Sequence, residues 1–152
     1  MQNKSKILVP VDFSSGSSLA INYAVELAQK FGAEIHLLNV IEDSNIGLSI
    51  GGDPLNTAER AREKAIKELD KFIPTKLRNF DFIKQALNGA VYEVIINYAR
   101  DYKINLIVMG SNGKTGFVSA WLGGTTYEVT RKAPCAVLTV KPEGLGLLKE
   151  EE

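Results

Sequence analysis

Short apolar runs of strand length alternate with segments of helical period along the chain, and this alternation dictates the fold class. KILVPV (Lys6–Val11), AEIHLLNVI (Ala33–Ile41), NLIVM (Asn105–Met109) and AVLTV (Ala136–Val140) are rich in branched residues. Runs this short and this apolar read as strands covered on both faces. Phe80–Leu87 is a fifth, more polar strand. Between them lie helical segments. Ser14–Phe31 places Ala20, Ala24, Leu27, Ala28 and Phe31 on one face and ends at Gly32, a C-cap residue. Thr57–Phe72 turns Ala58, Ala61, Ala65 and Leu69 inward and pairs Glu63 with Lys67 outside. Gly89 precedes a third helix, Val91–Tyr102, and a fourth, Gly124–Arg131, stops before Pro134. Alternating strands and helices force right-handed crossovers, hence an α/β, doubly wound parallel sheet with helices on both faces. Ligands of such sheets sit beyond the carboxyl ends of the strands, where the strand order reverses. The loops of interest are therefore Asp12-Phe13-Ser14, Val40-Ile41-Glu42 and the segment from Gly110 onward.

Composition narrows the class. With 152 residues, 45% of them hydrophobic, the chain can bury one real core. We expect a single domain over residues 1–143 and an acidic tail over 144–152. The 18 basic and 18 acidic residues cancel, so nothing favours nucleic acid. The single cysteine, Cys135, cannot form an intramolecular disulfide and fits a reducing compartment. MQNKSKILVPVDF reads neither as a signal peptide nor as a membrane span, so a soluble, cytoplasmic protein is expected. Glu42–Asn56, with Asp53-Pro54 inside it, reads as a long mobile loop of the kind that often carries function.

The segment GSNGKTGFVSAWLGGTT (Gly110–Thr126) holds five glycines in seventeen residues. It is not a Walker loop. That motif needs a glycine five positions before Gly113-Lys114, and Val108 stands there. Nor is it a dinucleotide fingerprint, because Gly110, Gly113 and Gly116 are evenly spaced. What remains is a strand ending in glycine, a loop, and Gly123-Gly124 opening a helix. Glycines admit an anion close to backbone amides, and a helix N-terminus adds its dipole. Lys114 can supply charge, Thr125 and Thr126 hydroxyls. The other reading is a loop of unusual backbone angles followed by an ordinary helix cap; these features alone leave both open.

The spacing G-x2-G-x9-G in GSNGKTGFVSAWLGG resembles that of the nucleotide-binding branch of the universal stress protein family. The resemblance extends through KILVPVDFS, LLNVIED, LIVMGSNGKTG and APCAVLTVK, nearly the whole chain. It implies a five-stranded parallel sheet of order 3-2-1-4-5 with ATP between the loops after strands one and four. It allows AMP or ADP as alternative ligands and Mg²⁺ with the phosphates. It implies that Asp12 holds the ribose or the adenine edge beside Pro10 and Val11, and that Val40 supplies an adenine contact. Met109 and Gly110 would begin the phosphate loop, Ser111, Asn112, Gly113 and Lys114 continue it, and Gly123 with the residues after it cap the phosphates. The family pattern has Ser or Thr after its third glycine. This chain has Gly124, so a hydroxyl is lost that Thr125 or Thr126 would have to replace. In that strand order Ala136, Val137, Leu138, Thr139 and Val140 form an edge without lysine or proline, a template for pairing with a second copy. Family members commonly dimerise through this strand.

The remaining candidates read more plainly. Asp12 would otherwise be a helix cap. His36, the only histidine, is a packed or surface residue with no second ligand to build a metal site. Cys135 is a small packing residue, and Ser14, Ser15, Ser17 and Ser18 lack a partner base and serve capping. Trp121 either anchors the core or covers the nucleotide loop. With no general base, arginine finger or Walker carboxylate in view, the expected function is an ATP-binding homodimeric stress-response regulator acting on a downstream protein, with no catalytic residues. The alternatives are a slow ATP hydrolase or phosphotransferase, and a dimeric interaction protein that binds no nucleotide.

Overall fold

The computed structural model describes residues 3–42, 54–111, 123–142 and 147–148, with the backbone alone for 54–56. Among the described residues nine elements run in the order β1 (Lys6–Pro10), α1 (Ser15–Phe31), β2 (Glu34–Ile41), α2 (Pro54–Phe72), β3 (Phe82–Asn88), α3 (Val91–Asp101), β4 (Leu106–Gly110), α4 (Gly124–Lys132) and β5 (Ala136–Val140), with a 3-10 turn at Thr75–Leu77. The strands form one sheet of order β3-β2-β1-β4-β5. Every pairing is parallel, so the expected doubly wound α/β architecture and its order are those observed.

The pleat sorts the core into two layers. Ile7, Val9 and Val11 of β1 and its extension, with Ile35 and Leu37 of β2, pack against Ala20, Ile21, Ala24 and Ala28 of α1 and Leu69 of α2. Leu8 and Leu38 point the other way, to Ile95, Tyr98 and Ala99 of α3 and Val129 of α4. Leu8 and Val9 are both fully buried, as the central strand of a two-sided sheet requires. Each such side chain stabilises the fold by about 1.5–3 kcal/mol. β3 and β5 are the edges.

Several element ends differ from the sequence expectation. α2 begins at Pro54, three residues before Thr57, so Pro54 opens a helix rather than sitting in a loop. Its fixed φ and missing N–H suit a first helical position. On α2 the i,i+4 ion pair that forms is Lys64–Glu68, at 3.9 Å, one position along from the expected Glu63–Lys67. β3 starts at Phe82, two residues later than expected, after the Thr75–Leu77 turn. Gly32 is the C-cap of α1 at φ 67°, in the left-handed conformation the sequence called for.

Candidate functional site

The end of β1 is fastened by a small hydrogen-bond clasp. The Ser17 hydroxyl accepts the Asp12 N–H at 3.0 Å and donates to Asp12 Oδ1 at 2.7 Å. The same Oδ1 accepts the Ser14 N–H at 3.0 Å. Ser14 in turn is the N-cap of α1, its Oγ accepting the Ser17 N–H at 3.2 Å. The helix cap is therefore Ser14, not Asp12; Asp12 closes an Asx turn in front of it. Phe13, between them, has φ 65° and sets its ring edge-on to Phe72 of α2, centroids 5.4 Å apart. A left-handed phenylalanine costs free energy and persists only where its neighbours over-determine it. Here they fix the direction in which Asp12 leaves the strand.

β2 supplies the second wall. Val11 N–H donates to the Leu38 carbonyl, and Asn39 Nδ2 donates to the Val11 carbonyl, both at 2.8 Å. The two strand ends are thus tied beyond their regular ladder. β4 supplies the third wall. A Cβ on Gly110 would lie 3.0 Å from Gly16 Cα, so β4 meets the first turn of α1 backbone to backbone. The buried Thr126 hydroxyl donates to the Gly110 carbonyl at 3.0 Å. Ser111 N–H donates to the Val140 carbonyl, and the Ser111 carbonyl accepts the Gly123 N–H. Ser111 is buried and serves as this tie; it does not line the cleft described next.

These ends enclose a cleft of about 470 Å³. Pro10, Val11, Asp12, Val40, Met109, Gly110, Gly123, Gly124, Thr125 and Thr126 all line it, so most of the sequence-derived site residues meet in one place. Ser14, Ser17, Leu38, Asn39, Glu42, Val91 and Ile95 line it too. The apolar residues among these carry no motif, and only knowledge of which strand faces α3 could have found them. Asn112, Gly113, Lys114 and Trp121, and most of the loop between β2 and α2, lie outside the described residues.

Chemically the cleft has two halves. Leu38, Val40, Val91, Ile95 and Met109 make an apolar wall. The start of α4 forms the other half, with Gly123 the N-cap without a side-chain hydrogen bond. The first-turn amides of an α-helix have no partner within it and face outward with the positive end of the dipole. A Cβ on Gly124 would meet nothing within 4 Å, so this corner is open. Thr125 is half-buried at the rim, whereas Thr126 has its hydroxyl proton committed to Gly110.

The other candidates lie elsewhere. His36 is buried on the α3 face, with Nδ1 2.6 Å from Tyr98 Oη and Nε2 3.0 Å from Glu34 Oε1. A carboxylate only accepts, so Nε2–H donates to Glu34, and Nδ1 is held against the Tyr98 hydroxyl. Burial, with Tyr102 and Glu34 nearby, pushes the Tyr98 phenol well above its ordinary range. Burial likewise raises the Cys135 thiol, which is inert packing. Among the described residues no group of three or more His, Cys, Asp or Glu could hold a metal ion, and no helix is long and apolar enough to cross a membrane.

Known proteins share this fold. A universal stress protein in complex with cAMP superposes with TM-score 0.64 at 19% identity, covering 92% of this chain and 98% of its own. A universal stress protein family member from Arabidopsis thaliana with AMP bound gives 0.60 at 21%, covering 90% and 91%. The solved structure of MJ0577 gives 0.77 at 28%, covering 93% and 98%. In sequence, the universal stress proteins MJ0531 and MJ0577 of Methanocaldococcus jannaschii are 33% and 30% identical, each over 90% of this chain and over 81% and 94% of their own. The family profile described as "Universal stress protein family" matches residues 4–141. With the profile running nearly end to end, the chain belongs to the universal stress protein family.

Proposed function

We propose that the chain is a nucleotide-dependent binding module that takes ATP, or AMP or ADP, in the cleft between β1, β2 and β4. The observation that carries this reading is the convergence on one cleft of the clasped Asp12 and the uncapped start of α4. The cleft's size is ordinary for a small-molecule site. Its apolar wall suits a purine, Asp12 suits ribose hydroxyls or an adenine edge, and the α4 amides with Gly123 and Gly124 suit phosphate. Asn112, Gly113 and Lys114 complete the phosphate loop in this reading. Mg²⁺ enters as the counterion of the phosphates, bound through them and through water. Family members that carry cAMP and AMP support the choice of an adenine nucleotide.

The same reading makes the protein a cytoplasmic homodimer, joined along β5, that presents a nucleotide-dependent surface to a downstream partner in stress physiology. Residues 1–143 form the nucleotide-binding domain and 144–152 its tail. Calorimetric titration with ATP and Mg²⁺ tests the ligand. Saturable heat with unchanged ATP afterwards supports a binder, whereas steady release of ADP identifies a hydrolase. No heat and no thermal shift at millimolar ATP would leave the nucleotide-free dimer as the function.

A further inference from the structure

A second concavity, of about 860 Å³, lies away from the nucleotide cleft, along the outer side of α1. Leu19, Tyr23 and Leu27 form its apolar floor, the turn residues Lys76 and Leu77 one bank, and Leu147 and Leu148 sit in it. Leu147 N–H donates to Tyr23 Oη at 2.8 Å, a contact across 124 residues of sequence. Leu147 is nevertheless 83% exposed and Leu148 half-buried, so the groove is engaged and only partly filled. Leu148 is followed in the sequence by Lys149 and by Glu150, Glu151 and Glu152. Among the described residues the groove is lined by Lys30, Lys76 and one acid, Glu26. A leucine pair trailed by three acids matches apolar floor to apolar anchor and acid to base.

The geometry points to this groove as the docking site of the chain's own C-terminal segment, with half-buried Leu148 as the anchor and Tyr23 as the peg for the Leu147 amide. The strap lies on the helix whose first turn carries Ser14, Gly16 and Ser17. It therefore braces from outside the element that backs the nucleotide cleft. This assignment does not depend on which ligand the cleft takes. The contact is intramolecular: Val140 ends β5 beside α1, and Leu138 already packs on the α1 side of the core, so a few residues bridge the gap.

A nitroxide on Glu152→Cys in full-length ¹⁵N-labelled protein, with Cys135→Ala to leave one thiol, reads the docking directly. Loss of the Leu19, Tyr23, Leu27 and Leu77 amide signals is expected, restored on reduction of the label. Tyr23→Phe is expected to speed hydrogen exchange of the Leu147 amide about fivefold, the equivalent of one net hydrogen bond. Leu147→Asp with Leu148→Asp should return the α1 signals in the labelled chain. Undiminished α1 signals, or unchanged Leu147 exchange in Tyr23→Phe, would overturn the assignment. So would broadening seen only when unlabelled ¹⁵N chains are mixed with spin-labelled ¹⁴N chains, since the groove would then hold a second copy's tail.

Discussion

Replacing Gly110 by alanine tests whether the cleft depends on a backbone-to-backbone contact. The added methyl would stand 3.0 Å from Gly16 Cα, 3.1 Å from its carbonyl carbon and 3.4 Å from its oxygen. Carbon pairs are comfortable at about 3.5–4.0 Å, so β4 and α1 must part by a few tenths of an ångström. Neither side yields easily. Gly16 lies in the first turn of α1, held by the Ser14 cap and the Ser17–Asp12 clasp, and Gly110 is held by the Thr126 hydroxyl. Overpacking of this kind costs about 1–3 kcal/mol. The stiffer unfolded chain of the alanine variant offsets about 0.4–1 kcal/mol of that. The net loss, about 0–2.6 kcal/mol and centred near 1.3 kcal/mol, lowers Tm by roughly 3–5 °C at that centre in a chain of this length. Thermal and urea unfolding followed by circular dichroism measure it. Gly124→Ala is the control: the same methyl enters open space at the first residue of α4, where alanine favours the helix. An unchanged or higher Tm for Gly110→Ala would refute the reasoning, because strand and helix would then be free to separate.

Four further outcomes follow from the same geometry. Asp12→Ala should weaken ATP binding by about 1.5–3 kcal/mol if the carboxylate makes a charged hydrogen bond to the ligand, read by calorimetry; unchanged affinity would confine Asp12 to its Asx turn. Gly124→Ser should hold or strengthen ATP binding, since its Cβ has room and its hydroxyl adds a donor; weaker binding would mean that Thr125 already fills the role. Thr139→Pro should split the dimer in light scattering while leaving ATP binding measurable. Val140 turns its carbonyl to β4, so the alternate residue Thr139 turns its N–H to the open edge, and Leu138 packs on the core. Stability should fall as pH rises past 10, because the unfolded chain then releases the Tyr98 proton that the folded chain keeps. Urea unfolding between pH 8 and 11 should show the fall, flattened in Tyr98→Phe.

The fold was legible because its signals are redundant. Four of the five strands are announced by branched apolar residues and each crossover by a helical period, so errors of two or three residues at element ends leave the topology intact. Pro54 shows how such an error arises: proline next to Asp53, Gly51 and Gly52 reads as loop, yet the same ring suits the first residue of a helix. The site was legible at its turns, where Asp12 and the glycines carry a spacing, and illegible along its walls. Val91 and Ile95 look like any helix residues until the sheet places α3 above β2. Asn39 lies within an apolar strand, and its bond to the Val11 carbonyl depends on a register that sequence does not print. Ser17 read as one capping serine among four. In the fold it both accepts from and donates to Asp12.

Thr126 shows why the third wall could not be assigned from spacing. The sequence offers two hydroxyls, Thr125 and Thr126, to stand in for the one absent at Gly124. The fold separates their tasks. Thr126 is 3% exposed and donates to Gly110, joining α4 to the end of β4. Its proton is thereby unavailable to a phosphate, and breaking the bond would leave the Gly110 carbonyl without that partner at the cleft's edge. Only Thr125, at the rim, keeps a hydroxyl for a ligand among the described residues of this turn. Thr126→Val should therefore lower stability and loosen the cleft even with no nucleotide present. Thr125→Val should leave stability nearly unchanged and reduce affinity for ATP more than for AMP, which lacks the outer phosphates. Parallel thermal melts and titrations of the two variants separate the roles. Equal effects of both substitutions on melting and on binding would show that the division between them is wrong.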